Sequence, residues 1–327
     1  GALGRPAGGV SGKFDVSIRP DQRADDAAGQ IFQVLLEAIR TNEAGTRADL
    51  DPEFLHDFRV AVRRTRAGLT LLRDALPEDL LAHFKTEFGW LGTATGPTRD
   101  LDVYLETMPS YRAALPPDVA SDLGPLEDHL RAEQAAAHAA LVEALDSPRY
   151  AALLSDWAAA LARLRAGGAD APSAAAPIAA LAARRTWQRF KRILDDGGRI
   201  DAETEVEALH ALRIEAKKLR YALEFFRRLV PPAEADALIG SLKGLQDNLG
   251  TLNDAGVQQA AMRGFAAAIG RRPSRAGTVL AMGWLMAELH AREQACRHDF
   301  AARFAAFAAK DNRERYARLF KRARVER

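Results

Sequence analysis

Residues 56–69 read HDFRVAVRRTRAGL, and residues 210–223 read HALRIEAKKLRYAL. Both stretches follow the pattern H-x-x-R-x-x-x-[RK]-[RK]-x-R, in which basic residues recur at the three- and four-residue spacing of one helix face. Each member of the second stretch lies 154 positions after its counterpart in the first. A basic helix that occurs twice at a fixed separation indicates an internal duplication, and this repeat decides the fold.

The same offset continues beyond the basic helix without a gap. Repeated apolar residues need only a repeated fold, but repeated cations cost repulsion and lost solvation unless an anion meets them. The repeat therefore predicts an anionic partner. Further pairs at this offset are Leu69 and Leu223, Arg73 and Arg227, Pro77 and Pro231, Leu91 and Leu245, Gly96 and Gly250, Asp100 and Asp254, and Val103 and Val257.

Apolar residues recur at helical spacing almost throughout, and no long alternating pattern typical of a strand occurs, so the sequence predicts an all-α fold. Pro and Gly mark the breaks between helices. The predicted helices cover about 22–42, 52–76, 79–108, 118–145, 148–166, 178–195, 204–229, 233–269 and 275–309. The predicted organisation is a flexible leader at 1–20, a first helical bundle at 21–166, a linker at 167–177, a second helical bundle at 178–319 and a basic tail at 320–327.

The composition limits the partners and the compartment. The chain has 46 basic and 44 acidic residues among 327, so its net charge is only +2 and any polyanion must be bound by local clustering. Cys296 is the single cysteine, which excludes an intramolecular disulfide and fits a reducing compartment. The longest apolar run, about 278–289, is too short to span a bilayer. We expect a cytoplasmic protein that does not use a membrane.

A helical wheel separates each basic stretch into a buried stripe and a charged row. The charged row runs along the edge of the apolar stripe, so its side chains should converge into a groove with low-dielectric walls. Guanidinium groups bind phosphate oxygens bidentately, and a histidine among cations gains its second proton when an anion arrives. The predicted buried stripes are Phe58, Ala61, Val62, Thr65, Leu69 and Leu72, and Leu212, Ala216, Leu219, Leu223 and Phe226.

Residues 91–103, LGTATGPTRDLDV, and residues 245–254, LQDNLGTLND, follow the two basic stretches. Together these paired motifs resemble the CHAD domain, the conserved histidine α-helical domain, over about residues 21–319. The resemblance implies two tandem four-helix bundles related by a pseudo-twofold. It also implies that basic residues of both halves line a central cavity or channel that binds inorganic polyphosphate.

The family's basic residues carry over onto this chain position by position. Asn253 stands where the first half has Arg99, so the two halves need not bind equally. Asp100 and Asp254 cannot bind an anion and are interpreted as supporting groups that orient arginines. The predicted polyphosphate-binding residues are His56, Arg59, Arg63, Arg64, Arg66, Arg99, His210, Arg213, Lys217, Lys218, Arg220 and Lys243, with Asp100, Asp254, Arg73 and Arg227 as supporting residues.

The function expected from this resemblance is non-catalytic binding of inorganic polyphosphate, in association with polyphosphate granules. No cofactor, no catalytic residue and no metal ligand is predicted. Sulfate or phosphate ions should occupy the same site, and enzymes of polyphosphate metabolism are candidate partners.

One alternative is a di-metal carboxylate centre, because Glu53-x-x-His56 and Glu207-x-x-His210 repeat the Glu-x-x-His motif of helical-bundle metal sites. The further glutamates that such a centre needs have no counterpart in the pattern, and acidic residues at helix starts are expected for the helix dipole alone. A solvated helix face is a second alternative, but Asp57 and Glu215 are the only acids inside the two motifs.

Two further alternatives share the electrostatics. A phosphohydrolase or kinase needs clustered carboxylates or a phosphate loop, and the chain has no G-x-x-x-x-G-K-[ST] motif. A single-strand nucleic-acid binder needs exposed aromatics for base stacking. The motif aromatics Phe58, Phe225 and Phe226 fall mainly on or near the buried stripe, so the sequence favours a polyanion without bases.

Overall fold

The computed structural model describes residues 14–201, 203–270 and 275–321. Within these ranges the chain forms helices and no β-strand, and only one isolated bridge pairs Arg23 with Pro177. The predicted all-α fold is therefore confirmed. None of the described helices is long and apolar enough to cross a membrane.

Twelve α-helices make up this part of the chain. They are α1 Ala24–Arg47, α2 Pro52–Leu71, α3 Glu78–Ala94, α4 Gly96–Ala113, α5 Pro117–Ala120, α6 Gly124–Asp146, α7 Pro148–Arg165, α8 Ile178–Gly197, α9 Val206–Phe225, α10 Pro232–Ile269, α11 Ala276–Phe307 and α12 Lys310–Tyr316. Short 3-10 turns at Arg73–Ala75 and Arg227–Leu229 follow the two basic helices, α2 and α9.

The helix bounds repeat at the offset that relates the two basic stretches. Helix α9 begins and ends 154 positions after α2, and α8 and α10 begin 154 positions after α1 and α3. The buried stripes of α2 and α9 also fall where the wheel places them, because each of those apolar residues is at most 4% exposed. The duplication thus extends from sequence to helix boundaries and core positions.

The duplication breaks down at the helix that follows the basic one. A single helix was predicted over 79–108, but the chain ends α3 at Ala94 and begins α4 at Gly96. Pro97 lacks the N–H that would continue the helix, and its ring opposes the carbonyl one turn earlier. Its counterpart in the second half is Thr251, which has no such restriction, and α10 runs unbroken through that position.

Three hydrophobic clusters form the interior. The first lies mainly among α1, α2, α3 and α7, and the second among α8 to α12. The third joins the halves, because it combines Tyr104 and Met108 of α4 and Leu130 of α6 with Met262 of α10 and Met282 of α11. The first cluster also joins the halves, because it includes Ile178 of α8 and Phe225 of α9. The halves therefore share apolar contacts in two of the three clusters.

The prediction of a flexible leader at 1–20 is wrong for residues 14–20. Phe14, Val16 and Ile18 alternate along an extended segment and are each at most 5% exposed. The ring of Phe14 packs 5.2 Å from that of Phe225 at the end of α9. Burial of three large apolar side chains on one face holds this segment on the first core. Residues 1–13 lie outside the described part of the chain.

The predicted tail at 320–327 also begins too early. Tyr316 and Phe320 are buried in the second cluster, and the Tyr316 ring stacks on Phe190 of α8 at 3.8 Å. Stacked aromatic burial makes residues 310–321 part of the second half. The tail beyond residue 321 is outside the described residues.

The segment predicted as a linker does connect α7 to α8 without helix, and it packs against the start of α1. The backbone N–H groups of Ala24 and Asp25 donate to the carbonyls of Ala176 and Ala174. The side chain of Asp25 also accepts from the N–H of Ala169. These bonds tie the connection to the first half.

Candidate functional site

A cavity of about 1100 Å³ opens between the two halves of the chain. Residues from α2, α4 and α6 of the first half and from α9 and α10 of the second half line it. Because the shared third core closes one end of the space, the two basic helices contribute side chains to a single cavity rather than to two separate faces.

Five arginine and lysine side chains line this cavity. Arg59 and Arg63 come from α2, and their duplication counterparts Arg213 and Lys217 come from α9. Arg99 of α4 is the fifth. The lining also contains Asp100, Asp254 and Glu133, so cations outnumber carboxylates. The cavity combines positive charge from both copies of the repeat.

Arg59 is held at the break between α3 and α4. Its Nη1 donates to Thr95 Oγ1 at 2.9 Å and to the Gly92 carbonyl at 3.2 Å. A Cβ added at Gly96 would lie 3.6 Å from the same nitrogen, which is ordinary contact, and one added at Gly250 would meet nothing within 4 Å. A side chain at either position would meet no steric obstacle, so contacts within the protein do not explain the repeated pair Gly96 and Gly250.

Arg213 is positioned differently from its counterpart. Its Nη2 donates to Asp254 Oδ1 at 3.3 Å, and its side chain is 16% exposed. Burial raises the pKa of Asp100 in the first half, although the charges of Arg59 and Arg99 oppose that shift. Both aspartates are therefore within electrostatic reach of cavity arginines: Asp254 accepts a hydrogen bond from Arg213, and Asp100 is acted on by the charges of Arg59 and Arg99.

Burial and mutual repulsion weaken the protonation of the cavity's cations. Burial, then the charges of Arg213 and Arg63, lower the pKa of Lys217 to about 8. Burial also lowers the pKa of Arg59, against the attraction of Asp100. Burial and repulsion between neighbouring cations both destabilise the protonated side chains in the cavity. A bound anion would offset both effects, so the cluster favours anion binding.

The two motif histidines have different surroundings. His56 lines the cavity, and burial lowers its pKa, followed by the charge of Arg99. His210 is exposed, borders a separate recess, and its Nδ1 lies 2.8 Å from the side-chain oxygen of Asn253. Asn253 is the counterpart of Arg99. The two halves therefore differ in the residue that acts on the motif histidine: Arg99 in the first half and Asn253 in the second.

The remaining predicted contacts lie outside the cavity lining. Arg64 and Arg220 both bind Glu224, at 3.0 and 2.6 Å, and Lys218 binds Glu215 at 2.8 Å. Whether they bind a ligand stays a prediction. Others outside the lining are Arg66 and Lys243, which are exposed, and Arg73 and Arg227, which pair with Asp74 and Asp236 at 3.4 and 2.5 Å.

The sequence interpretation missed a second wall of the cavity. Three aromatic side chains line it: Tyr104 of α4, His129 of α6 and Phe265 of α10. The repeated pair Val103 and Val257 lines it as well. The offset of 154 marks the two valines in the sequence, whereas the aromatic residues are brought together only by the shared third core.

The described residues give the di-metal alternative no support. Within residues 14–201, 203–270 and 275–321, no group of three or more His, Cys, Asp or Glu side chains could hold a metal ion. The charges of Arg99 and Arg63 act on His56 and would repel a dication, although Glu53 and Asp57 act in the opposite direction.

Comparisons with known proteins agree with this architecture. The structure superposes on the crystal structure of the CHAD domain from the plant Ricinus communis with a TM-score of 0.74 and 27% sequence identity, covering 91% of this chain and 96% of that one. It also resembles PptA from Streptomyces chartreusis in fold, with a TM-score of 0.66 and 19% identity over 86% of this chain and 99% of that one. No curated protein matches. The family model of the CHAD domain matches residues 30–263, and the chain therefore belongs to the CHAD domain family.

Proposed function

We propose that the chain binds inorganic polyphosphate, without turning it over, in the cavity between its two halves. The observation that carries the proposal is the convergence of Arg59, Arg63, Arg99, Arg213 and Lys217 on one space of about 1100 Å³. Arginine forks and a lysine at successive helical turns match a ligand with one negative charge on each of its repeating units.

The ionisation of the cavity supports a polyanion over a solvated helix face. A solvated lysine keeps its ordinary pKa, whereas the pKa of Lys217 is lowered to about 8 by burial and by neighbouring arginines. Such a cluster is costly in the free protein and becomes favourable when phosphates neutralise it. Held on both sides, a phosphate chain would be gripped by the two halves at once.

Charge reversal tests the proposal. We expect the combined variant with Arg59, Arg63, Arg213 and Lys217 changed to Glu to lose binding of long-chain polyphosphate in calorimetric titration while keeping its helical circular dichroism. The matched control changes Lys85, Arg303, Lys310 and Arg313 to Glu; these are exposed and outside the cavity. Because both variants change the net charge equally, wild-type binding by the first would overturn the proposal.

Salt dependence provides an independent measurement. Each phosphate neutralised should lower log affinity by roughly 0.7 per log unit of salt if single-strand behaviour applies. We expect a steep, linear fall for the wild type and a shallower one for variants that lack one cavity cation. A flat response would indicate a small ligand that binds by shape rather than a polyphosphate chain.

We also propose that the protein associates with polyphosphate granules in the cytoplasm, with enzymes of polyphosphate metabolism as candidate partners. Polyphosphate held in the cavity would attach the protein to a granule without any membrane anchor. Co-sedimentation of the protein with synthetic polyphosphate–calcium particles, compared with the charge-reversed variant, tests that consequence.

A further inference from the structure

Part of the lining of the cavity that holds the cations is apolar. Val103 and Val257 are duplication counterparts, and both line the cavity. Val257 is 56% exposed, which is unusual for a large apolar side chain inside a concave site. At this exposure the Val257 side chain contributes little to core packing, and a polar side chain at the same position would remain in contact with solvent.

Three aromatic side chains continue this apolar part of the lining: Tyr104 is buried at 7% exposure, whereas His129 and Phe265 are partly exposed. The rings of Tyr104 and Phe265 meet edge to face at 5.4 Å, and those of His129 and Phe265 at 5.8 Å. The charges of Asp100 and Asp254 add to burial in raising the pKa of Tyr104 to about 12, so both carboxylates lie within electrostatic reach of the phenol. The three aromatic side chains are therefore part of the cavity lining between the two halves.

Inorganic polyphosphate has no apolar part that could use such a wall. Apolar and aromatic surface in the cavity contributes favourably to binding only when a ligand removes it from water. A molecule with several phosphates at one end and a planar ring at the other would cover both walls. The volume of about 1100 Å³ is sufficient for a ligand of that size.

We propose that the cavity also takes a nucleoside polyphosphate, with its phosphates on Arg59, Arg63 and Lys217 and its base against Phe265 and the repeated valines. This inference deepens the proposed function and rests on it, because the same cations would hold the phosphates. The two ligand classes would exclude each other, so a nucleotide would displace polyphosphate from the site.

Matched ligands separate the contribution of the nucleoside, ribose and base together, from that of the phosphates, and the ring variant Phe265→Leu assigns that contribution to the base. We would titrate the protein, without divalent metal, with adenosine triphosphate and with methyl triphosphate, which carries the same charged group without a base. We expect the nucleotide to bind about ten times more tightly, equivalent to about 1.4 kcal/mol, as expected for base stacking on an aromatic side chain. Equal affinities would overturn the inference.

Two variants locate the effect. Phe265→Leu keeps an apolar side chain but removes the ring, and Val257→Asn changes an exposed side chain that the core does not need. Each should bring the affinity ratio of the two triphosphates towards one, whereas Leu280→Asn, 74% exposed on α11 and outside the cavity, should preserve a ratio of about ten. A ratio that stays at ten in Phe265→Leu and Val257→Asn would also overturn the inference.

The outcomes distinguish this inference from the proposed function. Tight binding of long-chain polyphosphate with equal affinities for the two triphosphates would remove only the nucleotide. Failure of polyphosphate and both triphosphates to bind would remove both proposals. Displacement of bound polyphosphate by adenosine triphosphate, but not by methyl triphosphate at the same concentration, would support the nucleotide directly.

Discussion

Arg63 and Lys217 are duplication counterparts, 154 positions apart, and the charge of Arg63 helps to lower the pKa of Lys217 across the cavity that both residues line. A duplication usually produces two separate copies of a site. Here the shared core between α4, α6, α10 and α11 brings the two copies to one space. The repulsion between counterparts is the physical reason to expect an anion between them.

Binding of an anion should be coupled to proton uptake at Lys217. The pKa of Lys217 is about 8 in the free protein, below its ordinary value of 10.5, and a bound phosphate would raise it again. Between about pH 8 and 10.5 the complex therefore takes up a proton, and affinity falls as the pH rises. Calorimetric titrations at pH 8.5, in buffers with different ionisation enthalpies, measure that proton.

Lys217→Arg is the matched control, because arginine stays protonated throughout this range. The variant should bind with less proton uptake and a flatter pH profile. The same proton balance in both proteins would show that Lys217 is not the titrating group. In the absence of ligand, the depressed pKa also predicts that the free energy of unfolding rises between pH 8 and 10.5, since the unfolded chain binds more protons there.

Replacing Arg99 with Asn would give the first half the residue that the second half has. One charge-assisted contact is lost, so affinity for polyphosphate should fall about tenfold and the salt dependence should become shallower. Removing the charge of Arg99 should also raise the pKa of His56, which that charge lowers.

Titration of the histidine ring protons by nuclear magnetic resonance, together with calorimetry, checks both effects. Arg131→Asn removes an exposed charge that pairs with Glu127 outside the cavity and should change neither quantity. An unchanged His56 pKa in Arg99→Asn would contradict the electrostatic description of the first half.

The sequence predicted the basic helices well because helical periodicity alone fixes which side of a helix a residue occupies. Phe58 and Leu219 are buried, as a wheel drawn from His56 and its counterpart implies. Of the charged row, Arg59 and Arg213 line the cavity, whereas three members do not: Arg66, His210 and Arg220. The all-α fold follows from the same periodicity. These features depend on residues within a few turns of each other.

Features that depend on distant residues were not accessible in this way. His56 and His210 have the same motif position, yet their surroundings differ through Arg99 and Asn253, which lie 43 residues further along each half. The aromatic wall around Phe265 exists only because α10 packs beside α4 and α6. No local pattern contains that arrangement.

The buried segment at residues 14–18 carries an alternating apolar pattern, but the neighbouring Gly-rich stretch favours the prediction of a flexible leader. Phe14, Val16 and Ile18 alternate as a half-buried strand would, next to a Gly-rich stretch. We predict that Phe14→Ala lowers the free energy of unfolding by about 3 kcal/mol, since a large buried ring is lost. Urea unfolding followed by circular dichroism measures it, with Leu50→Ala, 54% exposed, as the control that should change little.

Glu224 of α9 joins the two basic helices at a position outside the cavity lining. Its carboxylate binds Arg64 at 3.0 Å and Arg220 at 2.6 Å, and Arg64 is only 7% exposed at its side chain. Glu224→Gln should lower the free energy of unfolding by about 2–4 kcal/mol, because a carboxylate that pairs with two partly buried guanidinium groups loses its charge.

The comparison variant is Glu314→Gln, whose pair with Lys310 at 3.9 Å is largely exposed and should contribute less than about 1 kcal/mol. Equal unfolding midpoints for the two variants would show that the pair between α2 and α9 does not hold the halves together. Since Glu224 lies outside the cavity lining, the folded variant should still bind polyphosphate.

A variant at Lys243 tests whether the binding site predicted from the sequence motifs extends beyond the cavity seen in the structure. The sequence places Lys243 among the binding residues, whereas the structure places it at an exposed position of α10 outside the cavity lining. Arg63 is also exposed but lines the cavity. We expect Arg63→Ala to weaken polyphosphate binding about tenfold and Lys243→Ala to change it less than about twofold, because an isolated surface charge is screened by salt. Equal losses in calorimetric titration at physiological salt would mean that the phosphate chain continues over the outer face of α10, and that the cavity is only part of the binding surface.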